Sequence, residues 1–205
     1  MAVTAQMVKD LREVTGAGPL DCKKALEQFN GDMEKAATAL REKGLAKAAK
    51  KAGRATREGI VHAYIHHNNR LGVMLEINCE TDFVAKTDKF RGLANDIALQ
   101  IANLSAQYVK REDVPADILE AERQVQRNRA LAEGKPENVV DKMIEGRMGK
   151  FYEDLVLFDQ PFIKDDSMTI GQMVTQAIAD LGENIAISRF ARFAIGEGAA
   201  AEEEE

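Results

Sequence analysis

The sequence predicts an α+β protein in which a three-helix bundle precedes a three-stranded antiparallel sheet packed with helices, with an antiparallel helical hairpin projecting from it. Apolar residues recur at helical spacing through the first 44 residues, and the period becomes two between residues 60 and 80. Residues 1–57 carry 12 basic and 7 acidic side chains, whereas the remainder carries 16 and 27. This charge asymmetry predicts a boundary near residue 57.

The 205 residues suffice for one or two domains with packed cores, since 45% are hydrophobic and 30% are charged. The chain contains no apolar run of about 18 residues, and its first twenty residues lack a signal-peptide core. We therefore expect a cytoplasmic protein without membrane contact. Cys22 and Cys79 are too few for a disulfide framework and are expected to be small core residues.

Three short helices are predicted at the start of the chain. Thr4 and Asp32 are suitable N-caps for the first and third helices, and Pro19 suits the first turn of the second. Gly44 is expected to end the third helix. Three helices in about forty residues make a small bundle, near the minimum that folds alone.

The segment Arg41–Arg57 follows, with seven positive charges and one negative charge among alanines. One interpretation is a contact with RNA or an acidic protein. The other is a solvated helical linker. No aromatic residue is interleaved to stack on bases, which weakens the case for nucleic acid.

A hairpin of strands is predicted next, with Asn68-Asn69 as a two-residue turn. Residues 71–79 alternate between apolar and polar, which is typical of a half-buried strand. A third strand is expected at 184–195, where Arg189 interrupts an apolar face and leaves the register open. That face contains Ile185, Ile187, Ala191, Phe193 and Ile195.

Helical patterns fill the rest of the chain. An amphipathic helix begins at Phe90 and carries its stripe to Leu104. Two further helices, at about 115–133 and 137–156, are joined by a short loop and therefore form an antiparallel hairpin. The first of them is mostly charged, so we expect the hairpin to project as an arm. A final helix is predicted at 170–181.

The sequence contains none of the recognisable motifs in which residues perform catalysis in enzymes. His62 and His66 would share a strand face but lie about 13 Å apart along it, and His67 would point the other way. Neither a zinc motif, a nucleophile elbow nor a phosphate-binding loop is present in the sequence. We therefore expect no catalytic residues, no metal site and no cofactor, and the chain does not look like an enzyme.

The segment Thr81–Lys86 breaks the local pattern, because a bulky Phe83 follows Asp82 directly after a strand. In one interpretation this is a loop in which Asp82 caps the next helix and Phe83 folds inward. In the other, Phe83 is an exposed apolar anchor beside a carboxylate, and the segment inserts into a pocket of a partner.

Several motifs, in order along nearly the whole chain to about Gly196, resemble the bacterial elongation factor Ts family. They are Thr15-Gly16-Ala17-Gly18, Asp21-Cys22-Lys23-Lys24-Ala25-Leu26, Asn78-Cys79-Glu80-Thr81-Asp82-Phe83-Val84-Ala85-Lys86, Gly134-Lys135-Pro136, Glu145-Gly146-Arg147-Met148, Gln160-Pro161-Phe162 and Gly182-Glu183-Asn184-Ile185. The resemblance implies a nucleotide exchange factor for the GTPase elongation factor Tu, and an N-terminal bundle like a ubiquitin-associated domain.

The resemblance also implies which residues bind the partner. Thr81, Asp82, Phe83 and Val84 would enter the GTPase and dislodge its Mg²⁺, with Phe83 as a wedge between switch-region helices. The bundle would dock on the same domain through Pro19 and Leu20, where the family often has two methionines. No direct contact with nucleic acid is then expected, and an RNA-binding protein that uses residues 41–57 remains the alternative.

The predicted domains are a ubiquitin-associated-like domain with its basic linker (1–57), an α+β core (58–107 and 157–196), an arm (108–156) and an acidic disordered tail (197–205). Long members of the family carry two sheet-containing halves, and one half is lacking here. Short members are described as symmetric dimers. We therefore expect a homodimer whose cores pair, and a complex of two factors with two GTPases.

Overall fold

The N-terminal bundle consists of three helices, α1 (Ala5–Thr15), α2 (Pro19–Gln28) and α3 (Met33–Ala49). The structure, a computed structural model, describes residues 3–197, so the predicted acidic tail lies outside the described residues except for Glu197. The three helices pack around buried side chains. These are Leu11, Cys22, Ala25, Leu26, Ala36 and Leu40.

The helix starts of the bundle agree with the capping residues in the sequence. The Thr4 side chain accepts a hydrogen bond from the Met7 amide at 3.2 Å, and Asp32 Oδ1 accepts from the Lys35 amide at 3.0 Å. The third helix continues past Gly44, so the predicted end is wrong. A Cβ at residue 44 would lie 3.4 Å from the Ala179 side chain, an ordinary van der Waals contact, so α8 packs close to α3 at this position.

A three-stranded sheet follows, with strands β1 (Glu58–Ile65), β2 (Leu71–Cys79) and β5 (Ala186–Ala194) in the order β1-β2-β5. The turn between β1 and β2 is longer than the predicted two residues, because the His66 amide bonds the Leu71 carbonyl. Asn69 takes the left-handed conformation there, with a φ of 55°. Alternate residues of β2 are buried, as predicted: Val73, Leu75, Ile77 and Cys79.

Two helices connect β2 with the arm, the four-residue α4 (Asp82–Ala85) and the amphipathic α5 (Asp88–Leu104). The apolar stripe of α5 is buried from Phe90 to Ile101, whereas Leu104 is exposed. Arg192 of β5 lies on the α5 side of the sheet, since its Nε donates to the Ala102 carbonyl at 3.3 Å. Phe193 is exposed, so the predicted shared face of β5 is not buried throughout.

The arm consists of α6 (Ala116–Ala132) and α7 (Glu137–Leu155), which pack against each other as predicted. Its buried residues are Ala130, Val140, Ile144 and Met148. Val125 and Leu131 of α6 are exposed. Ion pairs between the helices, such as Arg127–Asp141 at 2.5 Å and Arg147–Glu133 at 2.9 Å, lie on the surface of the hairpin.

Two short strands that the sequence did not predict, β3 (Pro161–Phe162) and β4 (Asp165–Thr169), form an antiparallel ribbon before α8 (Ile170–Leu181). Buried Gln100 holds the ribbon, because its Nε2 donates to the Pro161 carbonyl at 3.0 Å and its Oε1 accepts from the Ile163 amide at 3.0 Å. A two-residue strand held by a distant glutamine leaves no periodic signal in the sequence.

The described chain divides into two compact units. One contains residues 3–59, 78–90 and 173–186, and the other contains residues 60–77, 91–172 and 187–197. None of the helices within residues 3–197 has the length and apolar character needed to cross a membrane. The α+β class, the N-terminal bundle, the three-stranded sheet and the helical hairpin are confirmed.

Candidate partner-binding site

The segment that stood out in the sequence forms the short helix α4 between β2 and α5. Thr81 is its N-cap, since the Thr81 hydroxyl accepts a hydrogen bond from the Val84 amide at 3.4 Å. Asp82 is the first helical residue, so the interpretation that made it the cap is wrong. A helix of four residues cannot stabilise itself, because the first turn fixes several residues for one hydrogen bond. Contacts from elsewhere must hold it.

The two hydrophobic residues of α4 lie in opposite environments. Phe83 is 78% exposed, whereas Val84 is 6% exposed and Ala85 is buried with it. The interpretation in which Phe83 folds inward is therefore wrong. Val84 anchors the helix to the core, and Phe83 is presented to solvent. An exposed aromatic side chain on an anchored segment is the arrangement expected of an interface anchor.

Asp82 lies beside Phe83 and is also exposed. Its Oδ2 accepts a hydrogen bond from Lys86 Nζ at 2.6 Å, one helical turn away. That hydrogen bond and the positive charge of Lys86 lower the pKa of Asp82 below its usual value. Asp82 is therefore negatively charged throughout the neutral pH range. The exposed surface of α4 combines an aromatic ring with a fixed anionic group.

Two carboxylates hold the chain just before α4. Glu183 accepts hydrogen bonds from the Glu80 and Thr81 amides and from the Thr81 hydroxyl. Glu80 in turn accepts from the Asn184 amide at 2.6 Å, and Arg54 Nη1 lies 3.4 Å from it. The segment is thus tied to the chain that follows α8 and to the end of the bundle.

These anchoring residues were not predicted as site residues. Glu183 and Asn184 appear in the sequence as an ordinary helix end after Gly182, and Glu80 appears as one of several acidic residues. The hydrogen bonds between residues 80–81 and 183–184 span more than 100 positions of sequence. Such pairing depends on where β2 and α8 lie in the fold, so a single sequence gives no local signal for it.

Cys79 lies directly beneath the segment. Its Sγ donates to the Thr81 carbonyl at 3.1 Å. Burial, with a smaller contribution from the negative charge of Glu183, raises the pKa of the Cys79 thiol above its ordinary value. The neutral thiol is the form that donates this bond, so the raised pKa and the hydrogen bond are consistent. The side chain is a structural donor at the base of α4.

We expect both thiols of the native protein to resist alkylation, because Cys22 and Cys79 are both fully buried and the thiolate of Cys79 is disfavoured. Iodoacetamide at pH 8, followed by intact mass measurement, should add no label to the native chain. Two labels should be added after denaturation, which provides the internal control. Rapid labelling of Cys79 in the native protein would show that the segment opens frequently.

The predicted secondary contact lies at the start of α2. Leu20 is 73% exposed, and Pro19 occupies the first helical position after Gly18. The preceding loop is attached to α8, because Gln176 Nε2 donates to the Thr15 carbonyl at 3.3 Å. Gly16 has a φ of 65°, and a Cβ there would lie 2.8 Å from the Asp180 carboxylate. Residues 19–20 and 81–84 belong to the same compact unit.

The basic segment 41–57 is partly neutralised within the chain. Lys43 and Lys47 contact the Asp21 carboxylate at 2.8 and 3.5 Å, and Arg54 contacts Glu80. The hydrogen bond from Lys43 lowers the pKa of Asp21. Cations that pair with carboxylates of their own chain are less available to phosphates.

The outer face of the sheet exposes a set of apolar side chains. They are Val61, Ile65, Met74, Phe193 and Ile195. Arg189 and Glu76 form an ion pair at 2.8 Å on the same unit. Grouped exposed aliphatic and aromatic residues on one sheet face mark an interaction surface more often than scattered single residues do.

The histidines are arranged differently from the sequence expectation. Strand β1 ends at Ile65, so His66 and His67 lie in the turn with ring centroids 4.2 Å apart rather than on opposite strand faces. His66 Nδ1 lies 2.9 Å from the Tyr64 hydroxyl. Within residues 3–197, no group of three histidine, cysteine or acidic side chains is placed to hold a metal ion.

Comparison with known proteins gives a consistent result. A model of the family described as elongation factor TS matches residues 2–197. Proteins named elongation factor Ts from Carboxydothermus hydrogenoformans and Heliobacterium modesticaldum are 60% and 58% identical, covering 99% and 97% of this chain and 94% and 92% of their own. The protein of the same name from Fervidobacterium nodosum is 56% identical, and the match covers 96% of this chain and the whole length of that protein.

The α+β fold and these matches define a translation elongation factor that acts in protein biosynthesis. The matched range covers nearly the whole chain, and positions 81–84 and 183–184 lie within it. The chain belongs to the elongation factor Ts family.

Proposed function

We propose that this chain is a guanine-nucleotide exchange factor that binds elongation factor Tu·GDP and promotes release of GDP. The observation that supports it most directly is Phe83, an exposed aromatic side chain on a short helix that is anchored at Thr81 and Val84. Asp82 adds a fixed negative charge beside it. In this proposal Phe83 and Asp82 contact the GTPase, while Thr81 and Val84 hold the helix in place.

The mechanism proposed is displacement of the Mg²⁺ that the GTPase holds beside its nucleotide. Phe83 enters between switch-region helices and moves the groups that hold the ion. The ion is among the largest local charges on the β-phosphate, so its loss weakens the binding of GDP. The factor makes and breaks no covalent bond, so the proposal does not require catalytic residues.

Exchange then follows from thermodynamic linkage. A factor that prefers the nucleotide-free GTPase weakens GDP binding, and GDP weakens binding of the factor by the same ratio. GTP entering the empty site displaces the factor and completes the cycle. The direction of the cycle is set by the concentrations of the nucleotides.

The bundle supplies a second contact in this proposal. Pro19 and Leu20, at the exposed start of α2, dock on the same GTPase domain. The proposed domains are the docking module (1–57), the core (58–107 and 157–196) and the arm (108–156). In this proposal the basic segment 41–57, whose first half is the end of α3, joins the bundle to the core and binds no nucleic acid.

The outer sheet face supports a homodimer within this proposal. Two copies that bury Val61, Ile65, Met74, Phe193 and Ile195 against each other would remove the exposed apolar surface of both. Each dimer would carry two copies of α4, giving a complex of two factors with two GTPases. The dimer restores the second sheet that long family members carry in one chain.

GDP release from elongation factor Tu tests the proposal. The substitution Phe83→Ala is expected to lower the rate of release of a fluorescent GDP analogue by about 30-fold or more, the effect of removing an interface anchor. Asp82→Ala is expected to lower it by a smaller factor. Val125→Ala, at an exposed position of the arm, is the control and should behave as wild type.

If both Phe83→Ala and Asp82→Ala accelerate release as the wild type does, the insertion mechanism is wrong. Affinity for RNA that exceeds the affinity for the GTPase and falls steeply with salt would instead favour a function for residues 41–57 in RNA binding.

A further inference from the structure

The carboxylate of Glu183 collects three hydrogen bonds at the base of α4. Its Oε2 accepts from the Glu80 amide at 3.1 Å and from the Thr81 amide at 3.0 Å. Its Oε1 accepts from the Thr81 hydroxyl at 2.6 Å. An ionised carboxylate is the strongest common acceptor for such donors, so one side chain fixes both the backbone and the side chain of the N-cap residue.

The connection is reciprocal. Glu80 Oε1 accepts from the Asn184 amide at 2.6 Å, so each glutamate binds a backbone amide of the other segment. Asn184 also donates from Nδ2 to the Arg54 carbonyl at 2.8 Å. Bonds in both directions fix the orientation of the two segments as well as the distance between them. Residues 80–81 therefore cannot rotate against residues 183–184 without losing several bonds together.

The position of Phe83 depends on this connection. Phe83 lies two residues after Thr81, in a helix too short to hold its own conformation. Burial of Val84 fixes one side of that helix. Glu183 fixes its beginning. With the N-cap released, α4 would remain attached through Val84 but would be free to pivot, and the aromatic ring of Phe83 would move with it.

We propose that Glu183 is a positioning residue for nucleotide exchange: it acts through Thr81 to present Phe83 in the conformation that enters the partner. The inference rests on the proposed exchange function. Glu183 is not required to touch the GTPase. A segment that is already in its working conformation needs no further ordering in the step that releases GDP, and an error of about 1 Å in placement can cost about 100-fold in rate.

The test follows GDP release by stopped flow, with the full-length factor varied in excess over elongation factor Tu·GDP. Glu183→Ala is expected to lower the maximal release rate by about 10- to 100-fold and to leave the half-saturating concentration within about threefold. Partial unfolding of the factor would do the reverse, raising the half-saturating concentration without changing the maximal rate. Glu183→Gln, which keeps a neutral acceptor, should give an intermediate loss. Glu27→Ala, at an exposed position of α2, is the matched control.

A double substitution separates this inference from the proposed function. If Glu183 acts through Phe83, the loss of rate in Glu183→Ala combined with Phe83→Ala should be much smaller than the product of the two single losses. Multiplied effects would overturn the positioning role, as would Glu183→Ala with the rate of the wild type while Phe83→Ala is slow. If Phe83→Ala itself matches the wild type, the proposed function fails instead.

A measurement on the free factor is independent of the partner. Hydrogen–deuterium exchange of the backbone amides in residues 81–85 should become about tenfold faster or more in Glu183→Ala, with no change in the amides of α2. Unchanged protection of residues 81–85 would overturn the inference, because the carboxylate would then not be holding the segment.

Discussion

Replacing Phe90 with alanine is expected to lower the free energy of unfolding by about 3–5 kcal/mol, whereas the same substitution at Phe83 should change it by less than about 0.5 kcal/mol. Phe90 is completely buried and Phe83 is 78% exposed, although the two lie only seven residues apart. The first substitution leaves a cavity in the core. The second removes a side chain that makes little contact within its own chain.

Denaturant unfolding followed by circular dichroism checks this pair, with the two variants serving as controls for each other. The free energies are compared at equal slope of the transition. A loss of several kcal/mol on changing Phe83 would contradict its role as a solvent-exposed anchor. It would also mean that slower nucleotide exchange by this variant reports on folding rather than on contact with the partner.

The substitution Phe193→Asp is expected to convert a dimer into a monomer. Phe193 is 67% exposed on the outer face of the sheet, with Ile65 and Met74 among its exposed apolar neighbours. Burying an unpaired carboxylate in an apolar interface costs several kcal/mol, which raises the dissociation constant of the dimer by about 100-fold or more. Light scattering at micromolar concentration measures the mass of each variant directly.

Val125→Asp is the matched control, because it introduces the same charge at an exposed apolar position of the arm. It should leave the mass unchanged. A monomeric mass for the wild type at micromolar concentration would contradict the homodimer. A Phe193→Asp variant that stays dimeric would assign the interface to another surface.

Much of the fold could be predicted from the sequence because its signals are local. Thr4 and Asp32 cap their helices as expected, and β2 buries alternate residues. The expectations that were wrong concern positions where a contact with a residue distant in sequence determines the local structure. Gly44 lies within α3 and faces Ala179 of α8, and the ribbon at 161–169 is held by Gln100.

Strand β5 is a second case, because its sequence pattern was not sufficient to assign its two faces. Alternation could not say which side of the sheet α5 covers, because both sides carry apolar residues. The structure places Arg192 toward α5, where it bonds the Ala102 carbonyl, and leaves Phe193 exposed. The polar Arg192 lies on the face that α5 covers, and the apolar Phe193 lies on the exposed face, which is the reverse of the usual arrangement. Hydrophobicity alone therefore assigned Phe193 to the wrong face of the sheet.

The candidate site was likewise predicted only in part from the sequence. The sequence singled out Thr81–Val84, because a bulky aromatic residue follows a strand there and breaks the local pattern. It left open whether Phe83 faces inward or outward, since a four-residue segment has no period long enough to define a face. Burial of Val84 and exposure of Phe83 answer that question.

The sequence by itself determined the α+β class, the capped helices of the bundle, the helical hairpin and, through its motifs, the family. These depend on neighbours within a few residues, where hydrogen-bonding and periodicity are set by local chemistry. Only the tertiary structure decided what anchors α4, because Glu183 reaches Thr81 across 102 positions. A contact of that separation exists only once β2 and α8 have brought their ends together.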